Sequence, residues 1–165
     1  MALLNAARFT AFALSLMVAP MAGAEGTNVA FGGLKADTSL PVELKSDALS
    51  VNQADGNAVF TGNVIVTQGA MKLSAAEIRV EYSADKKAID KLYATGGVLL
   101  VNASDAAQAD QAIYTIASGE VVMTGNVLLT QGQAAMSSQT LIIDLKSGTG
   151  RMEGRVTTTF TPGAN

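Results

Sequence analysis

Apolar and polar residues alternate along most of this chain of 165 residues. The alternation is clearest in Val42–Lys45, in Glu77–Tyr82 and in Thr140–Leu145. Alternation of this kind is typical of a β-strand with one buried face. No stretch after residue 24 keeps a helical period, and we expect the Ala-rich segment 103–112 to be extended or looped. The pattern therefore predicts an all-β fold.

One phrase of the sequence occurs twice. Residues 59–69 (VFTGNVIVTQG) return as residues 122–132 (VMTGNVLLTQG), and the ungapped repeat extends over 46–69 and 109–132. Internal repeats of this size indicate tandem structural units. Each phrase reads as a strand, a Gly-Asn corner and a second strand, and weaker copies of the unit follow Glu77 and Thr140. Four such units in tandem predict a continuous stack of antiparallel strands, with the glycines at corners or bulges.

The first residues have the three-part pattern of a secretory signal peptide. Arg8 precedes the apolar stretch 9–19, and the small residues Ala22-Gly23-Ala24 follow. A membrane anchor is the alternative, but the apolar run is short and Pro20 interrupts its end. We therefore expect four parts: a signal peptide at 1–24, a flexible N-terminal segment at 25–39, one β-domain at 40–162 and a tail at 163–165.

Composition narrows the function. The chain has no Cys and no His, and its formal net charge is −3 at pH 7. The commonest general base, nucleophile pairs and transition-metal ligands are thus missing, so we expect no catalytic residues, no metal site and no cofactor. An enzyme using a carboxylate pair on glycans is the remaining enzymatic alternative. The mild acidity and the lack of a basic stripe argue against nucleic acid as a partner.

The alternation also predicts which side chains face the interior. They are medium-sized and mostly aliphatic, and the candidates for lining a groove are Val42, Leu44, Phe60, Val64, Val66, Ile78, Val80, Tyr114, Met123, Val127, Leu129, Leu141 and Ile143. Two interpretations stay open from the residues alone. The interior is either a filled core or an apolar groove that accepts acyl chains.

The repeated phrase carries a resemblance to a known family. FTGNVIVTQG at 60–69, PVELKSD at 41–47, AAEIRV at 75–80 and TGNV at 124–127 resemble the OstA-like family of lipopolysaccharide-transport proteins. The resemblance covers residues 40–162. It implies an open, twisted β-jelly roll of stacked antiparallel strands in the periplasm. It also implies an interior that holds the acyl chains of lipid A from lipopolysaccharide.

The same resemblance implies partners. It places the protein in a bridge from LptC at the inner membrane to LptD at the outer membrane, with head-to-tail self-association through an N-terminal edge near 40–51 and a C-terminal edge near 152–161. A structural module of the same fold, with a filled core and no lipid, is the alternative function. Lipid A carries phosphates, and the candidate contacts are Lys45, Lys72, Arg79 and Arg155, whose alternative is ordinary solvated charge.

Overall fold

Antiparallel β-sheet makes up nearly all of the chain that the computed structural model describes, namely residues 27–30, 32–52, 56–85 and 87–161. The predicted signal peptide 1–24 and tail 163–165 lie outside the described residues. The elements are β1 Thr27–Ala30, a 3-10 helix Gly32–Leu34, β2 Glu43–Lys45, β3 Ala48–Val51, β4 Ala58–Gln68, β5 Met71–Tyr82, β6 Ile89–Asn102, β7 Asp105–Thr115, β8 Glu120–Gln131, β9 Ala134–Asp144, β10 Thr149–Glu153 and β11 Thr157–Phe160.

The described strands form one sheet that does not close on itself. Its order is β1-β10-β9-β8-β7-β6-β5-β4-β2, with β3 beside β2 on β4 and β11 beside β10 on β9. Every pair is antiparallel, and β4 to β9 each join the next strand of the chain. The Ala-rich segment 103–112 is mostly strand β7, as its alternation predicts. The all-β, open antiparallel architecture expected from the sequence is confirmed.

The repeat alone suggested that each Gly-Asn corner joins two strands. In the structure each corner is instead a bulge inside one strand. Gly62 and Asn63 lie within β4 with φ angles of +77° and +46°, and the register between β4 and β5 shifts there. Asn63 Nδ2 donates to Asp47 Oδ2 at 2.8 Å. Asn126 Nδ2 makes the same 2.8 Å bond to Asp110 in the second copy. The repeat thus encodes one bulge twice.

A line of bulges crosses the sheet and lets it fold over. Register shifts occur in all five pairings from β4–β5 to β8–β9. Tyr114 of β7 is in register with Ala58, at the start of β4. Yet its hydroxyl donates to Gln68 Oε1, at the other end of β4, at 2.5 Å. In a flat sheet about 30 Å would separate them along the strands. The two halves of the sheet therefore face each other, and the strand ends meet along a seam.

The described part of the segment predicted to be flexible has defined partners in the sheet. Strand β1 pairs with β10 from Thr27↔Met152 to Ala30↔Thr149. Residues 32–40, which we call the strap, lie in the seam, and Leu34 is fully buried. Hydrophobic periodicity did not reveal this segment, because side chains of distant strands hold its backbone.

The ends of the sheet also differ from the predicted edges. On one side the outermost described strands are β2 and β3, which lie within the predicted N-terminal edge 40–51. On the other side β1 pairs with β10 as far as Met152, so this residue of the predicted C-terminal edge is covered. Strand β11 is outermost beside β10 and carries residues 157–160 of the predicted C-terminal edge.

Candidate functional site

The predicted inward residues all line the buried face of the folded sheet. Three of them, Val42, Leu44 and Phe60, are partly buried and pack against the core. The others are at most 1% exposed, and they are Val64, Val66, Ile78, Val80, Tyr114, Met123, Val127, Leu129, Leu141 and Ile143. Alternation therefore predicted the orientation of these side chains correctly.

The apolar interior runs without a break from one side of the sheet to the other. One row of residues in register follows it from β2 to β9, and its members are Leu44, Val66, Leu73, Leu100, Ala107, Leu129 and Met136. A second row beyond the bulges consists of Leu49, Phe60, Ile78, Ala94, Ala112, Met123, Leu141 and Met152. Most of these side chains are buried against each other. The fold thus builds an elongated apolar interior.

A buried polar cluster lies beside this interior, at the strand ends along the seam. Gln68, Asn102 and Asp105 are at most 2% exposed. Gln68 accepts the bond from Tyr114 and donates through Nε2 to two strap carbonyls, Thr38 O at 3.0 Å and Leu40 O at 2.9 Å. Burial raises the pKa of Tyr114 to about 12, although its bond to Gln68 opposes the shift. The hydroxyl is therefore a neutral donor at physiological pH.

The rest of the cluster holds the other end of the strap. Asn102 Nδ2 donates to Lys35 O at 2.8 Å. Asp105 accepts from Gln131 Nε2 at 3.0 Å and from Ser104 Oγ at 3.2 Å. The sequence analysis missed these residues, although the repeat contained a signal. The Thr-Gln-Gly ending of each repeated phrase places Gln68 and Gln131 at the ends of β4 and β8, where the seam lies.

The four predicted phosphate contacts do not form one cluster. Lys45 on β2 and Lys72 on β5 are exposed on the outer face. Arg79 lies over the Tyr93 ring, 3.9 Å from its centroid, and pairs with Glu81 at 3.6 Å. Arg155 is exposed between β10 and β11. Because Lys45 and Arg155 lie at opposite sides of the sheet, the structure does not bring the set together.

Two other cations flank the seam. Lys35 and Lys146 line a depression of about 570 Å³ together with strap residues 36–39. Lys146 Nζ donates to Ala117 O at 2.7 Å, which fixes its side chain beside the strap. The sequence analysis missed Lys35 because it lay in the segment predicted to be flexible. It missed Lys146 because the residue belongs to an ordinary turn cluster.

Large apolar side chains are exposed on the outermost strands. Leu49 and Val51 of β3 are in register with the buried-face positions Phe60 and Ala58, yet they are 55% and 60% exposed. Phe160 of β11 is 73% exposed. Leu49 and Val51 continue interior rows, and Phe160 is in register with Ala134 of β9. No further strand of the described chain covers these three side chains. Both ends of the sheet therefore present apolar surface beside backbone groups that are able to pair.

Other chemistry is not visible in the described part of the chain. Its Asp and Glu residues form no group of three able to hold a metal ion. Its helical residues do not include a segment long and apolar enough to cross a membrane.

Comparison with known proteins agrees with this architecture. A solved structure of LptH from Pseudomonas aeruginosa, described as the LptA homologous periplasmic component of the lipopolysaccharide transport device, superposes with a TM-score of 0.67. The match covers 77% of this chain and 99% of LptH at 16% sequence identity, which shows a shared fold.

Sequence comparison identifies more specific relatives. An uncharacterized protein of Rhizobium meliloti (strain 1021) is 27% identical over 114 residues, which are 65% of this chain and 61% of that protein. The lipopolysaccharide export system protein LptA of Escherichia coli (strain K12) is 43% identical over 44 residues, which are 27% of this chain and 24% of LptA. The family described as LptA/(LptD N-terminal domain) LPS transport protein matches residues 43–149, well over half of the chain. The chain therefore belongs to the family of LptA and LptD N-terminal domain lipopolysaccharide transport proteins, and it is LptA-like in sequence and fold.

Proposed function

We propose that this protein is a periplasmic lipopolysaccharide-binding component of the bridge that carries lipopolysaccharide from the inner to the outer membrane. The observation that carries the proposal is the unbroken apolar interior, whose rows cross the sheet from β2 to β10. Family membership indicates lipopolysaccharide as the transported molecule, because the family is one of lipopolysaccharide transport proteins. In this role the protein shelters the acyl chains of lipid A and performs no chemistry.

The energy of acyl burial supports this interior as the site. Each buried CH₂ group contributes about 0.8 kcal/mol, so one chain of about twelve carbons gains about 10 kcal/mol on leaving water. The interior is lined by aliphatic side chains. Some of these, such as Ala94, Ala107 and Ala112, are small and occupy little of the interior volume. At the seam, Lys35 and Lys146 are suitable to contact the lipid A phosphates as point charges.

The two ends of the sheet support a place in a chain of proteins. Leu49 and Val51 carry interior rows to the uncovered strand β3, and Phe160 exposes an apolar side chain on the uncovered strand β11. Strand addition to β2 and β3 at one end, and to β11 at the other, would cover these side chains and continue the interior into a neighbour. We assign LptC, LptD and further copies of this chain as those neighbours. Such head-to-tail contacts do not close, so they extend into a bridge.

A second function deserves a test because the interior side chains are packed against each other. Val64, Val66 and Leu129 are fully buried by the protein's own side chains. This observation favours a structural module of the same fold with a filled core. The two functions differ in one property, which is saturable binding of lipopolysaccharide.

Crosslinking at neighbouring positions of one strand separates the two functions. Val127 points inward and is 1% exposed, whereas Leu128 points outward and is 37% exposed. A photo-crosslinking amino acid at position 127 should give a lipopolysaccharide adduct in cells, and the same group at 128 should give far less. Val64 and Ile65 provide the equivalent pair in the first repeat. Equal adducts at both positions, or none at either in folded protein, would refute the interior as the lipid site.

A further inference from the structure

We infer that the strap occupies the binding site for an acyl chain and its carbonyl groups, and that lipopolysaccharide binding displaces it. The inference rests on the proposed function and adds a local site to it. The site consists of the buried cluster Gln68, Asn102 and Tyr114 together with the apolar wall under Leu34. The ligand class is a fatty acyl group joined through an ester or amide.

The strap presents the same chemical groups as such a ligand. The Leu34 side chain is fully buried in the apolar core, as an acyl chain would be. The side-chain amides of Gln68 and Asn102 bind three backbone carbonyls of the strap at 2.8 to 3.0 Å. An acyl ester or amide also offers a carbonyl oxygen beside an apolar chain. When lipid displaces the strap, its acyl carbonyls replace the strap carbonyls as hydrogen-bond acceptors. The buried amide donors of Gln68 and Asn102 therefore keep partners.

The strap is an imperfect occupant of this site. Asn102 Oδ1 is buried and accepts no hydrogen bond in the described structure. A buried acceptor without a donor costs about 1–3 kcal/mol. The amide N–H groups and hydroxyls of an acylated sugar lipid are donors that would satisfy it. The cluster is thus better matched to a ligand that brings both acceptors and donors than to the strap.

The position of the strap at the surface of the seam allows it to be displaced. It runs along the seam between strand ends, where Ala36 N donates to Leu145 O at 2.9 Å. Its outer residues Lys35, Asp37 and Ser39 are exposed or nearly so, with Asp37 and Ser39 hydrogen-bonded to each other at the surface. Its described anchors are Leu34, Ala36 and the three carbonyls, and none of these contacts belongs to a strand ladder. The strap can therefore leave without opening a ladder of the sheet.

A reversible disulfide tests the displacement. A β-carbon placed on Gly33 would lie 2.6 Å from Asp105 Cγ. Gly33→Cys with Asp105→Cys therefore places two β-carbons within about 4 Å of each other, which a disulfide spans. The natural chain has no Cys, so no other thiol competes. Thiol titration measures the fraction of molecules in which the disulfide has formed. The single variant Asp105→Cys, treated with the same oxidant, controls for the hydrogen bonds that Asp105 loses.

The probe is fluorescently labelled lipopolysaccharide. The reduced double variant should bind it like the Asp105→Cys control, whereas the oxidised form should bind about tenfold more weakly or worse, because the open state is removed. Equal binding by the oxidised and reduced forms would overturn the inference. Failure of the proposed function has a different signature, since the natural protein and the reduced variant would then both fail to bind.

Hydrogen exchange in the natural protein provides a second test that needs no disulfide. Addition of lipopolysaccharide should accelerate exchange of the Ala36 amide, which is protected by Leu145 O in the free protein. Amides in the β7–β8 ladder should keep their protection and serve as the internal control. Unchanged or slower exchange at Ala36 in protein saturated with lipopolysaccharide would contradict displacement of the strap.

Discussion

Leu34 provides the sharpest test of whether the strap is part of the folded domain. Its side chain is fully buried, whereas Leu49 on the outermost strand β3 is 55% exposed. Leu→Ala at a buried site costs about 2–5 kcal/mol. The neighbours of Leu34 in the chain are half-buried Gly33 and exposed Lys35, so the strap can partly collapse into the space, and we expect the lower end, about 2–3 kcal/mol. The matched substitution Leu49→Ala should cost less than about 0.5 kcal/mol.

Urea unfolding followed by circular dichroism measures both variants. Leu34→Ala should lower the free energy of unfolding by about 2–3 kcal/mol with an unchanged m-value, which corresponds to a fall in Tm of about 6–12 °C. The same variant should bind labelled lipopolysaccharide more tightly than the natural protein, because the competing strap is weakened. If Leu34→Ala and Leu49→Ala have equal stability, the strap is not anchored. If Leu34→Ala is destabilised but binds lipid more weakly, the strap is not a competitor.

Three further predictions follow from single positions. Gly62→Ala should cost about 1–3 kcal/mol in urea unfolding, because a β-carbon would lie 2.6 Å from Asp47 Oδ2 at φ +77°. Gly132→Ala, with a similar positive φ but open space, should cost clearly less. Since the pKa of Tyr114 is raised, the neutral phenol stabilises the fold fully below pH 10, and this stability is lost as pH rises from about 10 to about 12. Tyr114→Phe should lose less stability over that window, and equal losses would contradict this assignment. Phe160→Asp, at 73% exposure, should leave the melting temperature unchanged and reduce oligomer size in light scattering, and unchanged size would contradict strand addition at β11.

The sheet and its inner face were predictable from sequence, because both depend on local periodicity. Alternation in Thr140–Leu145 places Leu141 and Ile143 inward with no knowledge of their neighbours. The doubled Thr-Gly-Asn-Val phrase also identified the bulges at Gly62 and Gly125, although the sequence did not show that each lies within one strand. The resemblance to lipopolysaccharide-transport proteins, drawn from the same phrases, is confirmed by the family match.

The seam was not predictable in this way, because it depends on contacts between residues far apart in the chain. Gln68 bonds Tyr114 across 46 positions and Leu40 across 28. Nothing in the polar, Gly-containing sequence of the strap shows that three of its carbonyls meet buried amides. The positions of the four candidate phosphate contacts relative to the seam were not predictable for a related reason. Outward positions such as Lys45 and Lys72 follow from alternation, but their distance from the seam follows from how the sheet folds.

The strap and the two ends of the sheet are the places where the apolar interior borders on water. A sheet that stays open for transport exposes its interior along the seam and at both ends. Along the seam, Leu34 and the strap backbone cover the interior with groups that a lipid can replace. At the ends, Leu49 and Phe160 are exposed, and in the proposed bridge a neighbouring protein would cover them. In the proposed function, lipid entry along the seam and protein addition at the ends would therefore use different surfaces. Substitutions at Leu34 should change lipid affinity without changing assembly, and substitutions at Phe160 should do the reverse.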